Sequence, residues 1–162
     1  MEDTLAIVHL RKQIWLQTYR GIYPDEMLDQ YPYLLYLERD KRHIASADQH
    51  WYLFLDGPQQ IGYFAFGPSH YGGYKDFELC LNHLYLLDGY KRQGLGTIAI
   101  SVITEYCHQH GIRKFFCGCN ANNLPAIAFY RHMGGIQGDE APPDVPKEDQ
   151  IIHFEFYLGE SV

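Results

Sequence analysis

The sequence predicts an α+β fold built on a mixed, mostly antiparallel sheet. Three observations carry that expectation. Residues 4–45 place apolar side chains at helical spacing. The period then falls to two across "HWYLFLD" and "IGYFAFG", which read as adjacent antiparallel strands. Beyond residue 77, strand-like and helix-like stretches alternate, so later strands join a sheet that already exists.

Each element follows from its own residues. Thr4 is placed to cap a first helix, with Leu5, Ile7, Val8, Ile14 and Trp15 inward, running to about Arg20. Gly21 stops it and Pro24 opens a second helical stretch, Asp25 to Ala45. Pro32 breaks that stretch, because it disfavours helix in the residue before it. The hairpin His50–Asp56 and Ile61–Gly67 turns at "GPQQ", and "PSHYGGYKD" is a turn-rich loop. "FELCLNHLYLL" is predicted as one long strand, Phe77 to Leu87. A helix from Thr97 to His110 stops at Gly111, and "KFFCGC" is the next strand. Asn123 caps a short helix with Pro125 in its first turn, ending at Gly134 and Gly135. "GDEAPPDVPKEDQ" is a polar loop, and "IIHFEFYL" is the final strand. No linker, repeat or low-complexity tract interrupts residues 1–162, so one domain is expected.

Composition narrows the function. With 46% hydrophobic and 20% charged residues the chain reads as soluble and globular. No apolar run would span a bilayer, so no membrane association is expected. The opening "MEDTLAIVHL" lacks the basic region of a signal peptide, which points to the cytoplasm. A net charge of -7 argues against nucleic acid, which favours a basic face. The spacing of Cys80, Cys107, Cys117 and Cys119 is not a disulfide framework. Cys117 and Cys119 should share one strand face as buried thiols. The histidines match no zinc spacing, so no metal is expected.

The junction "GYKRQGLGT", Gly89 to Thr97, carries chemistry. A strand hands the chain to a helix whose first N–H groups lack intrahelical partners and carry partial positive charge. Gly94 and Gly96 allow close backbone approach, and Lys91 and Arg92 add charge, which suits a phosphate or pyrophosphate. A tight turn with solvated cations is the plainer alternative. The Walker pattern is absent. Gly94-Leu-Gly96-Thr-Ile-Ala99 matches a dinucleotide fingerprint in letters only, since no acid ends the next strand and a hairpin precedes the loop.

"LYLLDGYKRQGLGTIAI" resembles the acetyl-CoA-binding motif of the GCN5-related N-acetyltransferase (GNAT) superfamily, with Lys91-x-x-Gly94-x-Gly96 where Arg or Gln usually leads. "NLPAIAFYRHMGG" resembles its second signature through Asn123, Ala126, Tyr130 and Gly134, with Gly135 in place of a common Phe. The resemblance covers essentially the whole chain. It implies a three-layer α/β/α arrangement whose middle strands splay, with acetyl-CoA as cosubstrate. It also implies that backbone from Leu84 through Tyr85 to Leu86 pairs with the pantetheine arm. Lys91, Arg92, Gln93, Gly94, Leu95, Gly96 and Thr97 would bind the pyrophosphate, with Asn123 and Ala126 beside the arm. Members usually begin with a strand; here either that strand is absent, leaving "HWYLFLD" at the sheet edge, or the native start lies upstream.

The implied reaction is acetyl transfer to a primary amine of a small molecule or peptide by direct attack. The resemblance makes Tyr130 the general acid: a thiol titrates near about 8.5 and a phenol near about 10, so donation is feasible. Strand alternation puts Glu78 on the face of Leu84 and Leu86 and nominates it as base, with a water chain as the alternative; His83 would point to the opposite face. Tyr19, Tyr23, Tyr31, Tyr33, Tyr71 and Tyr74 make the acceptor region aromatic, fit for an amine with a hydrophobic or cationic body. A homodimer is compatible with this reading. The competing function is a non-catalytic acyl-CoA sensor.

Overall fold

A computed structural model describes residues 2–159. Three helices come first: α1 (Glu2–Tyr19), α2 (Asp25–Asp29) and α3 (Tyr33–Ile44). They are followed by β1 (His50–Asp56), β2 (Gln59–Gly67), β3 (Cys80–Leu86), α4 (Leu95–His110), β4 (Lys114–Asn120), α5 (Leu124–His132), β5 (Ile136–Gln137) and β6 (Ile151–Tyr157). The strands form one sheet in the order β1-β2-β3-β4-β6-β5. Only β3 and β4 run parallel. The strand β1 lies at one edge of the sheet.

Helices cover both faces. Ile7, Leu10 and Ile14 of α1, at helical spacing, bury against Tyr63 and Leu87. On the other face Ile100, Ile103 and Cys107 of α4 and Ile127 and Tyr130 of α5 pack on Phe64, Phe66, Phe115, Cys117 and Phe154. This is the expected three-layer arrangement. Phe115 and Cys117 belong to the α4/α5 face with Cys119 packed beside them, while Phe116 lies on the other with Phe77 and Cys80. The two neighbouring thiols therefore share a face, as alternation predicts, and burial pushes Cys119 up to about 12.

Three expectations need correction, and one short element was not announced. Thr4 is a buried residue inside α1, not its cap. Helix α4 opens at Leu95, two residues before Thr97, because Gly94 takes a left-handed φ of 84° and acts as the cap position. The strand expected from Phe77 starts only at Cys80. There Lys75 has a φ of 48° and Phe77 bridges back to Tyr74, so the chain is still turning. Finally, β5 is two residues long and exists only through its pairing with β6, which no local pattern announces.

Candidate active site

The site starts from a break in the sheet. Between β3 and β4 only Cys80↔Phe116 and Leu81↔Cys117 are paired. Past them β3 remains paired to β2 as far as Leu86, and β4 to β6 as far as Asn120. The facing edges, Asn82 to Leu86 and Gly118 to Asn120, part from one another. Backbone donors and acceptors along such a cleft need partners. The opening coincides with a bulge: Ala65 pairs with His83 and Phe66 with Leu81, leaving Asn82 as the extra residue. Its side chain holds the loop that leaves β2, accepting from the His70 N–H at 2.9 Å and donating to the Pro68 carbonyl at 3.0 Å.

The cleft leads to the glycine loop. A short turn, Asp88–Tyr90, follows β3, and Gly94 delivers the chain to α4. The first intrahelical bond runs from the Ile98 N–H to the Gly94 carbonyl at 3.0 Å. The N–H groups of Leu95, Gly96 and Thr97 therefore lie in the unpartnered first turn. A Cβ on Gly94 would meet nothing within 4 Å, whereas one on Gly96 would lie 2.7 Å from Phe129 Cζ. Gly96 thus lets α4 and α5 approach, a role distinct from admitting a ligand. Arg92 is exposed and held at a φ of 60°. Lys91 turns away from the loop, with Nζ 2.6 Å from Asp88 Oδ1 and 3.4 Å from Thr18 Oγ1. Gln93 folds back to donate to the Gly89 carbonyl at 2.8 Å, and Thr97 Oγ1 donates to Met133 Sδ at 3.7 Å.

Helix α5 brings the second motif to the same cleft. Asn123 caps it, accepting from the Ala126 N–H at 3.3 Å, and Pro125 occupies its first turn. One turn on, the Tyr130 ring packs on Phe154 and Phe156, and its hydroxyl meets the Cys117 thiol. Burial, followed by the neighbouring thiols, holds this phenol well above its ordinary range. Tyr19 and Tyr85 also raise it electrostatically, and these two phenols, from α1 and β3, hydrogen-bond one another. Tyr85 lies on the α1 side with Tyr63, opposite Leu84 and Leu86, which pack on the α4/α5 side.

Glu78 does not join this group. It is exposed, precedes β3, and lines a surface hollow with Asp76, His110 and Lys114 at the C-terminal end of α4. The glycine loop is at the other end of that 16-residue helix, about 24 Å away at 1.5 Å per residue. Alternation failed twice: the strand is shorter than expected, and the bulge at Asn82 reverses the faces beyond it. Leu79 and Leu81 therefore share a face with Leu84 and Leu86, and Cys80 lies opposite.

The tyrosines divide into groups. Tyr19 and Tyr23 stack at 4.5 Å, and Trp15 meets both, with Tyr31 and Tyr36, edge-on. Tyr33 instead pairs with His9. Tyr74 stacks on Phe116 and His153, and Tyr71 is 71% exposed. Behind the aromatic group lies a buried ion pair, Arg11 to Asp40 at 2.6 Å, with Arg11 Nε donating to Tyr63 at 2.8 Å. No sequence signal marked that pair. It also did not mark His153, whose Nδ1 lies 2.6 Å from Asp139 Oδ2.

A family sequence model described as the acetyltransferase (GNAT) family matches residues 10–134. The chain is 30% identical over 134 residues to the uncharacterized N-acetyltransferase YuaI of Bacillus subtilis, covering 81% of this chain and 73% of that one. Its fold matches the PaiA N-acetyltransferase of Thermoplasma acidophilum, solved in complex with coenzyme A. That match has a TM-score of 0.74 and 17% identity over 97% of this chain and 94% of the other. A GNAT family acetyltransferase of Elizabethkingia anophelis with acetyl-CoA bound matches with a TM-score of 0.56 and 14% identity, over 75% and 82% of the two chains. A parted strand pair, a glycine-capped helix and an inward tyrosine stand together within a matched family sequence, and the chain belongs to the GNAT family of acetyltransferases.

Proposed function

We propose that this acetyltransferase moves the acetyl group of acetyl-CoA to a primary amine of a small molecule or peptide, both bound at once. The observation that carries the reading is the two-pair contact of β3 with β4, which leaves strand edges at Asn82–Leu86 and Gly118–Asn120 facing an opening. An extended amide-bearing arm fits such an opening by adding hydrogen bonds as a strand would. The first-turn N–H groups of α4 and the exposed Arg92 suit a pyrophosphate. A backbone N–H near the bulge can polarise a thioester carbonyl. Tyr130, from the α5 side, supplies the proton that a departing thiolate needs. The acceptor enters from the α1 side, where the stacked Tyr19 and Tyr23 and the nearby Tyr85 form an aromatic wall suited to a cationic or hydrophobic amine.

The test pairs binding with turnover. Acetyl-CoA should raise the melting temperature, as a ligand of the folded state alone must, and NADH and ATP should do far less. Thiol release from acetyl-CoA should then depend on an amine drawn from tyramine, spermidine, glucosamine and an alanyl peptide. Stronger stabilisation by NADH would overturn the cofactor assignment. Acetyl-CoA binding without amine-dependent thiol release would favour a sensor.

A further inference from the structure

Amine attack needs a base, and Glu78 is exposed in a surface hollow ahead of β3. We propose that His153, oriented by Asp139, takes the proton from the acceptor amine, an assignment that rests on the acetyltransferase reading above.

The placement comes from the sheet. His153 pairs directly across β4 with Gly118, the first residue of β4 beyond its last contact with β3. It therefore flanks the mouth of the cleft. A Cβ on Gly118 would lie 3.5 Å from His153 Cδ2 and 3.6 Å from Nε2. The ring edge thus lies over Gly118 at ordinary contact distance, beside Ile151 Cγ2 at 3.3 Å from the same point. The ring lies on the Phe116 face of the sheet, and Tyr130 reaches the cleft from the opposite face. The base and the acid are therefore separate groups approaching from the two faces.

Asp139 makes the ring competent. One carboxylate oxygen accepts from the His153 backbone N–H at 2.7 Å, and the other lies 2.6 Å from Nδ1. This holds the proton on Nδ1 and leaves Nε2 as acceptor, the arrangement that lets a histidine act as base. Among the described residues Nε2 has no hydrogen-bond partner. The ring is partly accessible, at 27% of its side-chain surface. Its charged and titratable surroundings are complete on three sides. Asp139 comes from the loop after β5, and Tyr74 stacks at 4.3 Å from the loop before β3. Glu155 lies two residues along the same strand, neutralised by Lys75 and bonded by the Tyr74 and Tyr157 hydroxyls. Asp139 is thus a positioning residue, and His153 is the group that touches substrate.

The protons balance. The ammonium gives one proton to Nε2, and the freed nitrogen lone pair forms the N–C bond to the acyl carbon. The C–S bond breaks and Tyr130 protonates the sulfur. The second nitrogen proton returns to the Tyr130 phenolate, and the imidazolium releases its own proton to solvent.

His153→Gln should lower kcat by about 10²-fold, the usual scale for a positioned base. The measurement uses the fastest amine among tyramine, spermidine, glucosamine and the alanyl peptide. The acid limb of kcat/KM against pH should flatten, and the thermal shift by acetyl-CoA should remain. Asp139→Asn should displace that limb and cost less in rate. A His153→Gln enzyme with the wild-type limb and rate would overturn the assignment, leaving the acetyltransferase reading intact. Wild-type enzyme inactive with every amine would overturn both. Should the variants fail to fold, imidazole nitrogen shifts of the wild-type protein decide. A proton on Nδ1 at a pH above the limb supports the dyad, and a proton on Nε2 there refutes it.

Discussion

Removing one oxygen from Tyr130 separates its packing from its chemistry. The ring is buried at 7% exposure against Phe154 and Phe156, and Phe would keep those contacts. Burial holds the proton on this phenol, so it is available to a thiolate but released reluctantly. Tyr130→Phe should keep the thermal shift by acetyl-CoA and lower kcat by about 10²-fold, with little change in KM. Steady-state kinetics at a pH where chemistry limits the rate would check this. Tyr130 and Asn123 were legible because each belongs to a local pattern: a cap, then a helix face about two turns on. His153 was not, since its meaning depends on Gly118 across the sheet and on Asp139 14 residues earlier.

At the scale of elements, α1, α3 and β2 are joined by a charge pair inside the core. Arg11 and Asp40 are both 0% exposed and lie 2.6 Å apart. Asp40→Ala would leave a guanidinium buried without its counter-ion and should cost about 3–5 kcal/mol of stability. Arg11→Met together with Asp40→Leu should recover most of that loss, because no lone charge remains. Urea unfolding of the three proteins would show it. Nothing in the local sequence marks either residue. Whether a helix face is wet depends on what lands on it, and Tyr63 and α3 arrive from 52 and 29 residues away. Helix α4 shows the converse. Its cap at Gly94 and its stop at Gly111 are local glycine conformations, with φ of 84° and 68°, and its end was predictable while its start was missed by one half-turn.

Across the whole molecule, three histidines make folding sensitive to acid. His70 is held down to about 3 by burial and then by His43, Arg39 and Arg11. His83, with both ring nitrogens buried and unpartnered, lies well below its ordinary range through burial and then Arg11; His43 is lowered by burial and then Arg39. In the unfolded chain each titrates near about 6.5. Below that pH the unfolded state binds more protons, so this contribution is complete above about 6.5 and is lost as pH falls toward about 3. The melting temperature should therefore drop between about pH 7 and about pH 5, before most carboxylates titrate. His70→Asn should flatten that drop, and an unchanged slope would count against a neutral, half-buried ring.

By itself, the sequence determined the succession of helices and strands, the glycine loop at the start of α4, the capped helix bearing Tyr130, and the family to which they belong. These rest on periodicity and on turns, which act over a few residues at a time. The tertiary structure alone decided which side chains face one another. It placed one extra residue at Asn82, which reversed the faces of β3 beyond it, and it left Glu78 exposed ahead of the strand. It also set Gly118 beside His153 at the opening of the sheet. A strand's period of two carries no record of a bulge, and a pairing between distant strands is chosen by the packing of the whole core.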